Sequence, residues 1–408
     1  AAPARLRNND AHYAYRQDSD FLYLTGFPEH DALLVMIPEE NGGQSMLFCR
    51  ERDPTREMWD GKMVGLDGAV NDYGMDQAWD ISEMEKRLKD MLPDRERIYH
   101  DLGRDPLFDQ RLIGWLNELR GVARKTFHAP EEIHALHDML HDMRVYKSRE
   151  ELSVMRKSAK VAIEAHETAM RTCIPGMNEA DIHAGLMHTF IRNHCEASYL
   201  PIVAGGANAC VLHYISNEEE LRDGDLLLID AGAELDGYAS DITRTFPVNG
   251  RFTAEQRALY DVVLEAQRQA IEAARPGNQW QDVHDAAVRV ATAGMVDLGI
   301  LEGPVDELIE SEAFKRFYVH NTGHWLGLDV HDVGEYTIDG HSRELEPGMV
   351  LTVEPGIYIP ADTEDVDAHW RGMGIRIEDN VAVTREDPRI LTDGLARNAD
   401  EIEALMAA

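Results

Sequence analysis

The fold is decided by two stretches of similar sequence, Leu221-Arg-Asp-Gly-Asp-Leu-Leu-Leu-Ile-Asp230-Ala-Gly232 and Leu345-Glu-Pro-Gly-Met-Val-Leu-Thr-Val-Glu354-Pro-Gly356. Both follow the pattern Leu-x-x-Gly-x-x-Leu-x-(Ile/Val)-acid-x-Gly. In each stretch a short apolar run predicts a buried strand, and a carboxylate stands where that strand ends. The repeated arrangement indicates an internal duplication.

A second match lies upstream, at the ends of predicted helices. Pro175-Gly176 is followed by Asp181-Ile-His, and Pro276-Gly277 is followed by Asp282-Val-His at the same spacing. Helical periodicity and capping signals predict four long helices around these turns. Their expected bounds are Arg149–Cys173, Asn178–His194, Ala254–Ala274 and Gln279–Leu298. The order helix, helix, strands thus occurs twice and predicts a pseudo-twofold α/β domain over about residues 150 to 400.

A smaller α/β domain is predicted before the duplicated part. Its expected elements are the strands Ala32–Pro38, Gln44–Arg50 and Arg97–His100 and the helices Ile81–Met91 and Pro106–Arg120. Asn41-Gly42-Gly43 between the first two strands is typical of a hairpin turn. Ser148-Arg-Glu-Glu151 is a capping box that begins the next helix. The predicted domains are therefore 1–147 and 148–408.

Four acids are expected to meet on the pseudo-twofold axis. Asp230 ends an apolar strand, and Asp241 lies eleven residues later in Ala239–Phe246, the predicted partner strand. The duplication pairs Asp230 with Glu354 and Asp241 with Glu378, which lies in a second predicted partner strand, 374–381. Buried carboxylates repel one another and lose hydration. A pair of divalent cations removes that cost.

Histidines extend this candidate metal site. The segment from His320 to His331 contains three histidines, with His324 between them. One histidine with four acids favours Mn, Co, Zn or Fe over a metal that prefers thiolates. His213 precedes the first acid-bearing strand, and both a structural and a functional role stay open for it. His134, His137 and His141 suggest one face of a helix, which we interpret as solvated rather than as a zinc site.

Composition restricts the possible partners. The 408 residues include 75 acidic and 40 basic ones, a formal charge of −35. This charge argues against binding to nucleic acid and to anionic membranes, and suits a site that attracts cations. No apolar run reaches the roughly 18 residues of a membrane span. The four cysteines form no C-x-x-C pair, which suggests reduced thiols and a cytoplasmic location.

Together these residues resemble the aminopeptidase P (Xaa-Pro aminopeptidase) family of the pita-bread fold. The resemblance covers the whole chain and is densest at seven motifs. They are Tyr15–Phe21, His213-Tyr214, Asp230-Ala-Gly232, Ser240–Gly250, His324–Asp332, Glu354-Pro-Gly356 and Arg376-Ile-Glu378. The N-terminal domain of that family begins some tens of residues earlier, and this chain begins at Ala1 without Met. We therefore expect a truncated start.

The resemblance implies a metallopeptidase that cleaves an N-terminal residue from a following proline. Its implied metal ligands are Asp230, Asp241, His324, Glu354 and Glu378. They would hold two divalent ions, usually Mn²⁺, bridged by Asp241 and Glu378. A hydroxide shared by the ions would attack the carbonyl before proline. His213 or His331 would assist the oxyanion, and Glu354 would carry the proton to the leaving nitrogen.

The resemblance also implies how the substrate is recognised. The nitrogen of an Xaa-Pro bond carries no hydrogen, so selection depends on the shape of the proline ring. The implied substrate-binding residues are Tyr199, His213, His320, His331 and Arg376, with Trp59 contributed by a neighbouring subunit. The substrate's free amine would bind near Asp230. A homo-oligomer, either a tetramer or a dimer, is the implied assembly.

Three alternatives on related folds remain, together with one from another class. Prolidase, an Xaa-Pro dipeptidase, has the same ligands and differs in how the far end of the substrate is bound. Methionine aminopeptidase usually lacks the first domain, and creatinase lacks the metal set. A non-catalytic peptide-binding relative would have lost ligands, whereas all five positions are filled here.

Overall fold

The computed structural model describes residues 1–40, 42–122 and 127–408. The chain divides into two compact units, Ala1–Leu140 and His141–Ala408. The domain boundary predicted after residue 147 falls in the connection between two helices, His137–Val145 and Arg149–Thr172, and stays a prediction. None of the helices in the described residues is long and apolar enough to cross a membrane.

The N-terminal unit mixes short strands and helices. Its elements in chain order are β1 (Leu6–Asn8), β2 (Ala11–His12), α1 (Ser19–Thr25), β3 (Leu33–Glu39), β4 (Gly42–Cys49), α2 (Pro54–Asp60), α3 (Gly65–Asn71), β5 (Gln77–Asp80), α4 (Met84–Met91), β6 (Arg97–Tyr99), α5 (Pro106–Val122) and β7 (Glu132–His134). Helix α6 (His137–Val145) crosses the division between the units.

The predicted hairpin forms the centre of this unit. Strands β3 and β4 pair antiparallel, with Leu33 opposite Phe48, and β4 also pairs in parallel with β5. Asn41, part of the predicted turn, lies outside the described residues. Leu47 and Phe48 are fully buried on opposite faces of β4. Their alternation places one apolar cluster on each side of the sheet.

The C-terminal unit contains the duplicated part of the sequence. Its helices are α7 (Arg149–Thr172), α8 (Glu179–Arg192), α9 (Ala254–Ala273), α10 (Trp280–Asp297), α11 (Val305–Glu310) and α12 (Ala399–Met406). Its strands are β8 (Glu196–Ala197), β9 (Ile202–Gly205), β10 (Leu226–Asp230), β11 (Ala233–Leu235), β12 (Tyr238–Ala239), β13 (Thr243–Pro247), β14 (Thr337–Ile338), β15 (His341–Ser342), β16 (Val350–Val353), β17 (Gly356–Ile359), β18 (Met373–Arg376), β19 (Asp379–Ala382) and β20 (Arg389–Ile390).

The duplication predicted from the sequence reappears in equivalent hydrogen bonds. The Gly176 N–H donates to the Leu221 carbonyl at 2.8 Å, and the Gly277 N–H donates to the Leu345 carbonyl at 3.2 Å. Asp181 and Asp282 each complete the capping box of the following helix, α8 or α10. The repeated Pro-Gly and Asp residues therefore have one function in both halves. They end one helix and begin the next. The glycine N–H also bonds the turn between the two helices to the loop before the acid-bearing strand.

Long helices cover the sheets through stripes of small and apolar residues. Helix α7 begins at the predicted capping box of Ser148 and Glu151. It buries Met155, Ala159 and Ala162 at helical spacing. The three residues repeat every three or four positions, so they share one face of the helix.

The acids lie where the chain passes from one sheet to another. The predicted partner strand Ala239–Phe246 is divided into β12 and β13, and the predicted strand 374–381 is divided into β18 and β19. At these breaks the two halves bond to each other. The Glu378 N–H donates to the Thr243 carbonyl at 3.0 Å, and the Asp241 N–H donates to the Asn380 side-chain oxygen at 3.1 Å.

Replacing Gly232 by alanine should destabilise the fold by about 3 kcal/mol or more, because a Cβ there would lie 1.7 Å from the backbone carbonyl oxygen of Ser240. Gly185→Ala in α8 is the matched control. Its Cβ would meet no atom within 4 Å, so it should stabilise the protein by about 0.5–1 kcal/mol. Urea unfolding measures both values. Equal stability of the two variants would contradict the close approach at Gly232.

Candidate metal centre

The two halves bring their acids to one buried site. Asp230 is the last residue of β10, and Asp241 lies in the short connection between β12 and β13. Glu354 follows β16, and Glu378 connects β18 to β19. The pairing of β10 with β13 and that of β16 with β19 are both antiparallel. Each half therefore contributes a strand end and a strand start to the same place.

A compact ligand group forms around His324. Among the described residues, one ligand atom from each of Asp241, His324 and Glu378 lies within 4.8 Å of the others. His324 Nε2 is 3.4 Å from Asp241 Oδ2 and 3.6 Å from Glu354 Oε1. His324 Nδ1 lies 2.9 Å from the Trp325 carbonyl oxygen, to which it donates. This hydrogen bond leaves Nε2 as the free ligand atom facing the acids.

Backbone and aromatic contacts fix His324 in this position. Its N–H donates to Thr352 Oγ1 at 3.0 Å, and its carbonyl accepts from the Thr352 N–H at 2.9 Å. The neighbouring Trp325 is fully buried and stacks on Tyr336, with ring centroids 5.6 Å apart. The histidine is therefore held between β16 and an aromatic cluster before any ligand binds.

Tyr199 links the two acids of the first half. Its hydroxyl lies 2.5 Å from one carboxylate oxygen of Asp230 and 2.5 Å from one of Asp241. The single hydroxyl proton of Tyr199 can be shared between the two carboxylates. Burial raises the pKa of Asp230 above its usual value. A bound cation would offset the cost of burial by stabilising the charged carboxylates.

Arg376 connects Asp230 to Tyr358 and His320 through hydrogen bonds. Its Nη2 donates to Asp230 Oδ2 at 2.6 Å, and its Nη1 donates to the Tyr358 hydroxyl at 2.9 Å. Tyr358 lies 2.8 Å from His320 Nε2, while His320 Nδ1 donates to the Asn321 carbonyl at 2.7 Å. Burial lowers the pKa of His320 to about 4, with the Arg376 charge as a further cause. His320 is therefore neutral near pH 7.

The charged forms of Glu354 and Glu378 are destabilised by burial. Burial raises the pKa of Glu354 to about 7, and the charges of Asp241 and Asp230 add to the increase. Burial also raises the pKa of Glu378 well above its usual value, with the Asp241 and Glu354 charges as further causes. Divalent cations would stabilise these carboxylates in their charged form. The oxygen-rich set with one imidazole therefore fits the ions expected from the sequence.

His324 and Asp241 form a charge pair in this metal-free arrangement. Burial favours neutral imidazole, but the hydrogen bond that His324 donates to Asp241 and the charge of Glu354 outweigh it and raise the pKa of His324 to about 9. Burial alone would raise the pKa of Asp241, yet its hydrogen bond with His324 and the histidine's charge lower it. A metal ion replaces that imidazolium proton when it binds.

Two exposed histidines lie at the edge of the site. The ring of His331 is 4.3 Å from that of His324, measured between centroids. Burial lowers the pKa of His331, and the charges of His324 and His213 lower it further. His213 is exposed and acts electrostatically on His320 as well. The structure thus brings both histidines near the ligands, while their roles stay predictions.

Trp59 and the three histidines His134, His137 and His141 lie outside the group of acids. Trp59 lies in α2 and is 85% exposed, and its role in substrate binding stays a prediction. The expected helical face of His134, His137 and His141 is wrong, because His134 ends β7 and only the other two lie in α6. The parallel pairing of β6 with β7 overrides the helical spacing.

Sequence reasoning missed three polar residues that organise the ligands. Tyr358 is hydrogen-bonded to Arg376, and Thr243 donates to Glu378 Oε2 at 2.6 Å. Asn380 bonds to the backbone of Asp241 through both its oxygen and its nitrogen. Alternation along β17 from Gly356 to Tyr358 offered a signal for Tyr358. Thr243 and Asn380 contact residues of the other half, so no local sequence pattern indicates their roles.

The sequence pattern of metallopeptidase family M24 matches residues 153–385, and that of the aminopeptidase P N-terminal domain matches residues 1–99. The chain belongs to metallopeptidase family M24. It has the mixed helix and sheet architecture of that family's pita-bread catalytic domain, preceded by the N-terminal domain of aminopeptidase P.

Relatives and solved structures agree with this assignment. The Xaa-Pro aminopeptidase of Escherichia coli is 46% identical over 100% of this chain and 92% of its own length. Xaa-Pro aminopeptidase 3 of Homo sapiens is 35% identical over 99% of this chain and 79% of its own length. The structure of Pseudomonas aeruginosa aminopeptidase PepP has a TM-score of 0.97 and 53% identity, covering 100% of this chain and 92% of that one.

A zinc-substituted Escherichia coli aminopeptidase P in complex with product is a further match. It has a TM-score of 0.95 and 46% identity, and the match covers 100% of this chain and 92% of that one.

Binding of Mn²⁺ should release protons and strengthen as pH rises from about 7 to 9. The metal competes with protons on Glu354, whose pKa is about 7, and on His324, whose pKa is about 9. Each proton released should give about a tenfold gain in affinity per pH unit. Calorimetry in buffers of different ionisation enthalpy counts these protons. Affinity that does not change across this range would contradict the arrangement.

Proposed function

We propose that this metallopeptidase removes the N-terminal residue from peptides whose second residue is proline. The observation that carries the proposal is the meeting of Asp230, Asp241, His324, Glu354 and Glu378 at one buried site. The chain is an Xaa-Pro aminopeptidase by its family and by the relatives reported above.

The five residues would hold two divalent ions, and Mn²⁺ is the ion we expect, with Co²⁺, Zn²⁺ or Fe²⁺ as alternatives. When bound, such ions polarise the peptide carbonyl and lower the pKa of an attacking water. Asp241 and Glu378 lie at the contact between the halves, so they are placed to serve both ions. Asp230 and Glu354 would each complete one side, and His324 would contribute its Nε2.

Glu354 is the candidate general acid and base. Its carboxyl is partly exposed, and its Oε1 lies 3.6 Å from His324 Nε2. A carboxylate in this place can accept a proton and pass it on. We assign it the transfer of a proton to the proline nitrogen as the peptide bond breaks. His331 or His213 would donate a hydrogen bond to the oxyanion that develops on the carbonyl.

The proline ring would lie against the residues beside the ligands. His320 is neutral and half-buried, with both ring nitrogens already bonded to the protein. It therefore presents ring surface rather than a charge to an apolar ring. Tyr199, His331 and Arg376 would form the rest of the pocket, and Trp59 of a neighbouring subunit would close it. The carboxylate of Asp230 would attract the substrate's free amine.

The alternatives have less support. Prolidase shares the ligands, but the whole-length relatives reported above are Xaa-Pro aminopeptidases. A non-catalytic peptide-binding relative would have lost ligands, whereas all five positions are filled here. We also propose a homo-oligomer, tetramer or dimer, and a cytoplasmic location, the latter supported by four cysteines without disulfides.

The substrate test compares Arg-Pro-Pro with Gly-Pro, using Mn²⁺-loaded protein and mass spectrometry of the products. Release of arginine from the tripeptide, with slow cleavage of the dipeptide, is the expected result. Rapid cleavage of the dipeptide alone would instead identify a prolidase. Cleavage of neither peptide by metal-loaded protein would support the non-catalytic alternative.

Glu354→Gln should lower kcat by about 10²- to 10⁴-fold, because an amide cannot carry the proton. Glu307→Gln, at an exposed position in α11, is the matched control and should keep the parent rate. Metal content is measured on both variants, so that lost ions and lost proton transfer can be separated. Parent-like turnover by Glu354→Gln with its ions bound would exclude Glu354 as the acid.

A further inference from the structure

Glu179 is a fully buried carboxylate that lies outside the metal centre. It is the first residue of α8 and is 0% exposed. Its Oε1 accepts from the Gly205 N–H at 2.8 Å and from the Asn208 side-chain amide at 3.0 Å. Its Oε2 accepts from the Tyr214 hydroxyl at 2.7 Å and from the Glu219 N–H at 3.0 Å. Four hydrogen bonds compensate for the buried charge.

All four donors belong to one stretch, Gly205–Glu219, which we call the His213 segment. Apart from one short 3₁₀ helix, Gly206–Cys210, this stretch has no regular structure beyond its first residue. His213 is next to Tyr214, the residue that Glu179 holds through its hydroxyl. The shape of the segment therefore depends on side-chain anchors rather than on a helix or sheet ladder.

Asn217 anchors the far end of the same segment. It is buried and adopts a positive φ of 50°. Its side-chain oxygen accepts from the Val203 N–H at 2.9 Å, and its amide donates to the Pro201 carbonyl at 2.9 Å. Because both ends are fixed in this way, the hydrogen bond from Tyr214 to Glu179 determines the conformation of the part of the segment that carries His213.

The second half of the molecule uses the equivalent position for the same purpose. Trp280 is the first residue of α10, as Glu179 is of α8. Its ring lies 4.4 Å from the ring of Trp325, the neighbour of His324. In each half, the first residue of the second helix thus holds the residue next to a histidine of the site. One half does so with hydrogen bonds and the other with aromatic packing.

We propose that Glu179 is a positioning residue for His213 in the peptidase reaction. It fixes the His213 segment so that the imidazole meets the substrate beside His320 and His331. The inference rests on the proposed function, because it assumes that His213 contacts the peptide. Glu179 itself touches neither the ligands nor the reacting atoms and acts only through the segment.

The test replaces Glu179 by glutamine. An amide nitrogen cannot accept a hydrogen bond, so at least one donor of the segment is left without its partner. Hydrogen exchange measured by mass spectrometry should become about tenfold faster within 205–219. Hydrolysis of Arg-Pro-Pro should lose about tenfold in kcat/KM. Tyr214→Phe removes only one hydrogen bond and should shift both quantities in the same direction by less, which keeps the test valid if Glu179→Gln folds poorly.

The matched control is Asp181→Asn on the same helix. Asp181 completes the capping box of α8, so its loss weakens the start of the helix but leaves the four bonds of Glu179 in place. Exchange in 205–219 and kcat/KM should stay near the parent values. An equal effect of both variants would show that helix stability, rather than positioning, explains the result and would overturn the proposal.

A double-mutant cycle with His213→Ala identifies the route of the effect. If Glu179 acts through His213, then adding Glu179→Gln to His213→Ala should change kcat/KM by less than about twofold. The same tenfold loss in both backgrounds would overturn the positioning role while leaving the peptidase function intact. A parent protein that cleaves no Xaa-Pro peptide would instead contradict the proposed function, and with it the catalytic part of this inference.

Discussion

Repulsion between buried carboxylates is the constraint on which the C-terminal unit depends. Asp230, Asp241, Glu354 and Glu378 occupy one site, and their mutual charges oppose ionisation. His324 and Arg376 oppose this repulsion, because His324 Nε2 lies 3.4 Å from Asp241 Oδ2 and Arg376 Nη2 donates to Asp230 at 2.6 Å. Divalent ions would supply the same compensation to these carboxylates. The surrounding fold can be understood as a rigid frame that prevents the acids from moving apart.

The frame is a duplicated unit in which equivalent positions have acquired different chemistry. Asp181 and Asp282 kept the same role as helix caps, because both helices need to begin at the same point. The positions two residues earlier diverged, because Glu179 binds a segment by hydrogen bonds, whereas Trp280 packs against aromatic rings. Equivalent helix starts with different side chains thus hold the neighbour of His324 in one half and the neighbour of His213 in the other. Duplication thus creates the symmetric acids, and divergence creates an asymmetric substrate site.

The sequence predicted the four acids because each stands near the end or the start of a strand within a repeated pattern. That pattern is local, so it can be recognised from the sequence alone. Sequence reasoning failed where distant residues decide the outcome. The predicted strand containing Glu378 breaks in two because its backbone bonds across to Thr243. His134 joins a strand through pairing with residues far away in the chain. Tyr358 and Asn380 act through contacts that no spacing in the sequence reveals. Local patterns therefore predicted which acids come together, and tertiary contacts determined how they are held.

We propose that this buried acidic site binds two divalent ions. The most direct measurement is metal analysis of Mn²⁺-loaded protein together with anomalous diffraction from its crystals. Two ions per chain, about 3.5–4 Å apart and both within reach of Asp241 and Glu378, are the predicted result. A single ion, or manganese bound elsewhere while these carboxylates keep their protons, would contradict the claim.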